Sequence, residues 1–209
     1  LLIKDYPDHG ILYNFAGVSC QATKKFSKSI NFLKKAIEIE PNNISYMNNL
    51  ANSYASIRNY TNAEKIYKNA LLIDKNNRVI LENFASFNKR ISNYLSAIKL
   101  YKKLLNEDNK NPAISHDLAE CYQAVGNFEE ANKILDENTE KYPNFIKSHY
   151  TKSITTNYLE NGQHLDKMLE VSKINNIKIE DKILINYAIG KAYEDKKDFK
   201  NENRLENIK

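Results

Sequence analysis

The chain has 209 residues, of which 27% are charged and 42% apolar, and its 31 basic and 26 acidic side chains leave a net charge of +5. Such a balance excludes an intrinsically disordered chain, and no apolar run nears the ~18 residues of a membrane span. Only five glycines and four prolines interrupt long stretches rich in Leu, Ile, Lys and Ala, which favours helix.

Cys20 and Cys121 have no paired spacing, so a disulfide framework or zinc site is not expected and two packed, reduced thiols are. The abundance of Lys, Asn and Ile matches the codon bias of an AT-rich genome. In so Asn-rich a chain, the glycosylation-type triplets at Asn43 and Asn59 are read as chance.

Taken in chain order, residues 1–9 open in Leu-Leu-Ile-Lys-Asp-Tyr-Pro, without Met, and read as the end of a truncated repeat. From Gly10 the pattern recurs every 34 residues, giving units 10–43, 44–77, 78–111 and 112–145. Place 8 of each unit is small (Gly17, Ala51, Ala85, Ala119), and so is place 20 (Ser29, Ala63, Ala97, Ala131). Place 17 is aromatic (Phe26, Tyr60, Tyr94, Phe128), and place 24 is large (Leu33, Tyr67, Tyr101, Leu135). Proline stands at place 32 in Pro41 and Pro143, and Pro7 has the same place in the truncated unit. Residues 146–182 form a divergent unit three residues longer, with Ser153 at place 8 and Gly162 where an aromatic is expected. Residues 183–209 form a partial or capping unit carrying Gly190, Tyr193 and Phe199, with Glu202 where a small residue is expected.

This pattern resembles the tetratricopeptide repeat, whose signature places small residues at 8 and 20, large ones at 4, 7, 11 and 24, and proline near 32. The resemblance implies an all-α fold, an α-α superhelix in which each unit is a pair of antiparallel helices stacked on its neighbours. The small residues then sit where helix backbones approach most closely. The place-17 aromatics are expected to pack in the core between units.

No catalytic constellation is present. The glycines are isolated, so no phosphate-cradling loop forms, and His9, His116, His149 and His164 show no metal-ligating spacing. The chain is therefore read as a non-enzyme without cofactor or metal. The family resemblance implies that the first helix of each unit lines an inner groove through places 2, 5, 6, 9, 12 and 13. The residues assigned to it are Asn14, Asn48, Asn49, Asn52, Glu82, Asn83, Ser86, His116, Asp117 and Glu120, with Lys89 and Arg90 placed to meet an acidic partner. A carboxamide offers a donor and an acceptor and can pair with a peptide group. The recurring asparagines resemble the asparagine ladder of O-linked N-acetylglucosamine transferase, which implies recognition of an extended peptide. The chaperone carboxylate clamp of this family needs basic residues where Val79, Asn83, Ala113 and Asp117 stand, so it is absent.

The first three regular units carry +3, +2 and +4, whereas 112–145 carries −5. Lys34, Lys35, Lys65, Lys68, Lys99, Lys102 and Lys103 fall on the second helices, away from the groove, and the tyrosines are assigned to the core. Neither a nucleic-acid nor a membrane partner is therefore expected. The expected partner is a protein or peptide, and the expected location is the cytoplasm. The stretch Asn-Tyr-Ala-Ile-Gly-Lys-Ala-Tyr-Glu-Asp-Lys-Lys-Asp-Phe at 186–199 resembles the last repeats of bacterial proteins that join such repeats to a sulfotransferase. This implies an alternative: the substrate-presenting repeat region of a larger transferase, with the catalytic domain adjacent in the same polypeptide.

Overall fold

The computed structural model describes residues 2–107, 111–159, 162–174 and 177–196; Phe199 and Glu202 lie outside them. It divides into two compact units, Leu1–Asn93 and Tyr94–Lys209. The first holds α1 (Leu2–Asp5), α2 (Gly10–Ala22), α3 (Phe26–Ile39), α4 (Ile44–Ser56), α5 (Tyr60–Ile73) and α6 (Arg78–Arg90). The second holds α7 (Tyr94–Glu107), α8 (Pro112–Ala124), α9 (Phe128–Lys141), α10 (Ile146–Thr155), α11 (Gln163–Ser172) and α12 (Ile179–Asp195). No strand occurs among the described residues.

Inside the first unit α2 packs on α3 and α4, α4 on α5, and α5 on α6. Inside the second, α8 packs on α7 and α9, while α10 packs on α9 and α12 and α11 packs on α12. The small residues make these contacts possible. Ala51, Ala63, Ala85, Ala97, Ala119 and Ala131 are all 0% exposed, and Leu33, Tyr67, Tyr101 and Leu135 fill the space between helices at 2% or less. At Gly17 a Cβ would lie 2.6 Å from Cγ of the buried Leu33, so the first repeat combines glycine with a branched neighbour.

Loop asparagines have structural work. Asn43, Asn59, Asn77, Asn111 and Asn127 cap α4, α5, α6, α8 and α9, their side chains accepting a first-turn backbone N–H. Between the two helices of each regular repeat the chain enters the left-handed region at Lys24, Arg58, Ser92 and Gly126, with φ of 56°, 61°, 61° and 80°. The next backbone N–H closes back on the last turn, as in Asn59 N to Tyr54 O at 2.9 Å and Asn127 N to Tyr122 O at 2.9 Å. This is the Schellman geometry that ends a helix by satisfying its last carbonyls.

The place-17 aromatics depart from expectation. Tyr60 is 39% exposed and Phe128 50%, because the first residue of each second helix sits at the edge of the stack. Tyr60 lays only a ring edge against Phe87, with centroids 6.0 Å apart. The divergent repeat is held by a buried polar chain that the sequence did not reveal. His149 Nε2 lies 3.0 Å from the Pro143 carbonyl, His149 Nδ1 lies 3.1 Å from His164 Nε2, and His164 Nδ1 lies 2.7 Å from the Tyr158 hydroxyl. The carbonyl can only accept, which fixes the order of donors: His149 Nε2–H to Pro143, His164 Nε2–H to His149 Nδ1, and Tyr158 O–H to His164 Nδ1. Both rings are neutral in this arrangement. Met168, Ile185, Ile189 and Leu165 surround the region in an apolar cluster.

Candidate functional site

The candidate groove residues lie on α2, α4 and α6 in the first unit and on α8 in the second. Their carboxamides are half-buried, and four of them pair with one another. Asn49 Nδ2 donates to Asn14 Oδ1 at 2.9 Å, and Asn83 Nδ2 donates to Asn48 Oδ1 at 2.9 Å. In both cases place 6 of one repeat donates to place 5 of the repeat before it. The same joint recurs in different chemistry in the second unit, where His116 Nε2 and Thr151 Oγ1 are 2.9 Å apart. Thr151 is a residue the sequence reading missed, although its place 6 in the divergent repeat could have found it.

Glutamines reinforce the same contacts. Gln21 Nε2 donates to the Asn49 carbonyl at 2.7 Å and to Ser53 Oγ at 2.8 Å, and Gln123 Nε2 donates to the Thr151 carbonyl at 3.4 Å. Tyr67 O–H donates to Asn52 Oδ1 at 2.6 Å. Burial pushes the Tyr67 phenol up to about 12, partly offset by the Arg90 charge. Tyr101 O–H donates to Asp117 Oδ2 at 3.1 Å, and burial together with that carboxylate pushes its pKa far above the ordinary tyrosine range.

Each asparagine pair consumes one donor and one acceptor. Asn14 and Asn48 keep an Nδ2 donor, and Asn49 and Asn83 keep an Oδ1 acceptor, so each joint carries a fixed donor beside a fixed acceptor. Asn52 keeps its Nδ2. Along α6, Glu82 is half-buried within 3.4 Å of Arg78, Ser86 and Arg90 are exposed, and Lys89 is half-buried. The α2 face that carries places 2, 6 and 9 is apolar and exposed: Ile11, Phe15 and Val18 are 48%, 60% and 39% exposed.

In the second unit His116 is 5% exposed, its ring edge-on to Phe145 at 5.7 Å. His116, Asp117 and Glu120 bring one ligand atom each within 4.8 Å of the others, an arrangement that could hold a metal ion. Tyr150 and Tyr187 continue place 5 in the last two repeats, their rings 5.8 Å apart.

Paired helices with small residues at the crossings, and polar first helices joined repeat to repeat, define a helical-repeat solenoid. Sequence profiles described as tetratricopeptide repeat match residues 11–43, 32–65 and 92–151, together more than half of the chain. The chain belongs to the tetratricopeptide repeat family, an all-α solenoid of antiparallel helix pairs.

Solved structures share that fold at low identity. Residues 41 to the end of MamA from Desulfovibrio magneticus RS-1 superpose with a TM-score of 0.69 at 14% identity, covering 80% of this chain and 97% of that one. YrrB, titled a TPR protein with an unusual peptide-binding site, gives 0.66 at 17% identity, covering 90% and 95%. PilF of Pseudomonas aeruginosa gives 0.69 at 15%, covering 94% and 88%. No protein of curated function matches the chain in sequence.

Proposed function

We propose that this chain is a protein-interaction scaffold that holds an extended peptide segment along the first helices of its repeats, and that it performs no catalysis itself. The observation that carries this reading is the pair of asparagine joints. At Asn14–Asn49 and at Asn48–Asn83 one carboxamide fixes the other, leaving a pre-oriented Nδ2 donor and Oδ1 acceptor. A peptide carbonyl fits the donor and a peptide N–H fits the acceptor, at little added ordering cost because the side chains are already held. The exposed Ile11, Phe15 and Val18 supply an apolar surface for a side chain of the same segment. The fold is shared with YrrB, whose title names a peptide-binding site, and that likeness supports the reading.

The test is to select binders from a random peptide library and then methylate their backbone nitrogens one at a time. Loss of binding on methylation at consecutive positions, with tolerance of side-chain changes there, supports backbone capture by the carboxamides. Binding indifferent to methylation refutes it.

A second reading rests on the stretch at 186–199, which resembles repeats adjoining a bacterial sulfotransferase. In that case the scaffold presents protein substrates to a catalytic domain in the same polypeptide. A phosphate-binding loop encoded in frame after Lys209 supports this reading, and a stop codon there removes it.

A further inference from the structure

Histidine 116 and the two carboxylates beside it do more than the peptide-binding reading requires. We propose that His116, Asp117 and Glu120 form a site for a divalent transition-metal ion such as zinc on the first helix of the fourth repeat. The three residues stand at i, i+1 and i+4 of α8, with one ligand atom from each within 4.8 Å of the others.

The imidazole is set up as a ligand. It is only 5% exposed and is oriented by the edge of Phe145 and by Thr151, whose Oγ1 lies 2.9 Å from Nε2. A neutral imidazole has one N–H, and with that proton given to Thr151 the Nδ1 lone pair is free to meet an ion shared with Asp117, whose Oδ1 lies 3.8 Å from it. Metal-ligating histidines are held in this way, through a hydrogen bond from the nitrogen that does not bind the ion.

The separations fit a shared ion better than a direct bond. His116 Nδ1 lies 3.8 Å from Asp117 Oδ1, while Glu120 Oε1 lies 3.8 Å from Nε2, the nitrogen that meets Thr151, so the Glu120 side chain turns towards Nδ1 when the ion binds. Both are too long for hydrogen bonds. Two ligand atoms each about 2.1 Å from one ion stand roughly 3.0 to 4.2 Å apart, depending on the angle between them. The Nδ1–Oδ1 gap falls inside that range. Tyr101 O–H holds the other oxygen of Asp117 at 3.1 Å, leaving Oδ1 on the histidine side. Asp117 and Glu120 have other polar partners as well, with which the ion competes.

The ligand set decides the class of ion. Calcium and magnesium are bound by oxygen alone in six or more positions, whereas an imidazole with two carboxylates suits zinc and its first-row neighbours. Three protein ligands leave a fourth position open.

The experiment titrates zinc alone, and cobalt(II) alone as a visible probe, into the full chain at neutral pH, by calorimetry and absorption. One saturable site per chain is expected, with cobalt giving the visible bands of a low-coordinate ion. Glu120→Gln and Asp117→Asn keep side-chain shape and should each weaken binding about tenfold or more. His116→Gln should abolish binding, and helical circular dichroism checks its fold. Glu64→Gln, on α5 and paired there with Lys68, should leave the affinity unchanged. The absence of a saturable site overturns the proposal. So does a site whose affinity is the same in wild type, Glu120→Gln and Asp117→Asn, since the ion would then sit elsewhere.

Discussion

Lowering the pH from about 7 to about 5 is expected to destabilise the divergent repeat through its buried histidine chain, and the size of the effect follows from the geometry. An unfolded histidine titrates near 6.5. In the fold, burial holds His149 down to about 4, with the Pro143 carbonyl opposing the shift and the Lys152 and Lys167 charges adding to it. His164 is held lower still by burial first, then by Lys152, His149 and Lys167. Two further charges lie close by: Lys191 stands over the Tyr158 ring at 5.3 Å and pairs with Asp195 at 2.7 Å.

Because the folded pKa values are depressed, the folded chain binds fewer protons than the unfolded one below pH ~6.5, so this stability is complete above that value and is lost as the pH falls. Two histidines that both stay neutral lose together about 3 kcal/mol per pH unit, or about 4 kcal/mol by pH 5. That is a large share of the ~5–15 kcal/mol that holds a domain folded. The assay is urea unfolding followed by far-ultraviolet circular dichroism across this pH range. The wild type is compared with the double variant His149→Asn, His164→Gln, which has no imidazole to titrate. The variant should be less stable at neutral pH and lose most of the pH slope; either single variant should lose about half of it. A wild-type midpoint that does not move between neutral pH and pH ~5, or a double variant with the full wild-type slope, would refute the reasoning.

Two further predictions concern glycines with opposite reasons to exist. Gly17→Ala should destabilise by about 1–3 kcal/mol, because its Cβ would meet Leu33 Cγ at 2.6 Å in a core that cannot yield freely; Leu33→Ala in the same chain should recover part of the loss, and simple additivity of the two costs would contradict the clash. Gly126→Ala should cost about 1 kcal/mol although nothing lies within 4 Å of the added carbon, because φ is 80° there. Arg58→Gly, at φ 61° in the equivalent turn, should cost less or stabilise. Equal effects in chemical denaturation would show that the left-handed turn is not the cause.

The architecture was legible because its constraint is periodic. Ala51, Ala63 and Tyr67 announce close helix crossings, and all three are buried as that reading requires. Tyr60 was misjudged because period alone does not say how deep a stripe runs, and a residue opening a helix lies at the rim. The asparagines were visible as a series, but their mutual bonds were not, since a bond from Asn14 to Asn49 depends on the stagger of neighbouring helices. The His149–His164 pair left no trace in the sequence, because it joins residues of a divergent repeat at a spacing no other repeat shares. Thr151 was not legible by its residue type, because the asparagines at place 6 of earlier repeats give no sign that the place needs only a group able to bond its neighbour.

The place-5 to place-6 bonds also carry information about order. A repeat with asparagine at both places, as at Asn48 and Asn49, is compatible with a copy of itself on either side. Its 34 residues could therefore be duplicated in tandem with every seam intact. A duplicate of 112–145 would instead set His116 of one copy against Asp117 of the next, losing the threonine that His116 meets in the present chain. The second repeat is thus an interchangeable brick, whereas the fourth accepts a particular successor, and the chain encodes the sequence of its own modules at the seams between them.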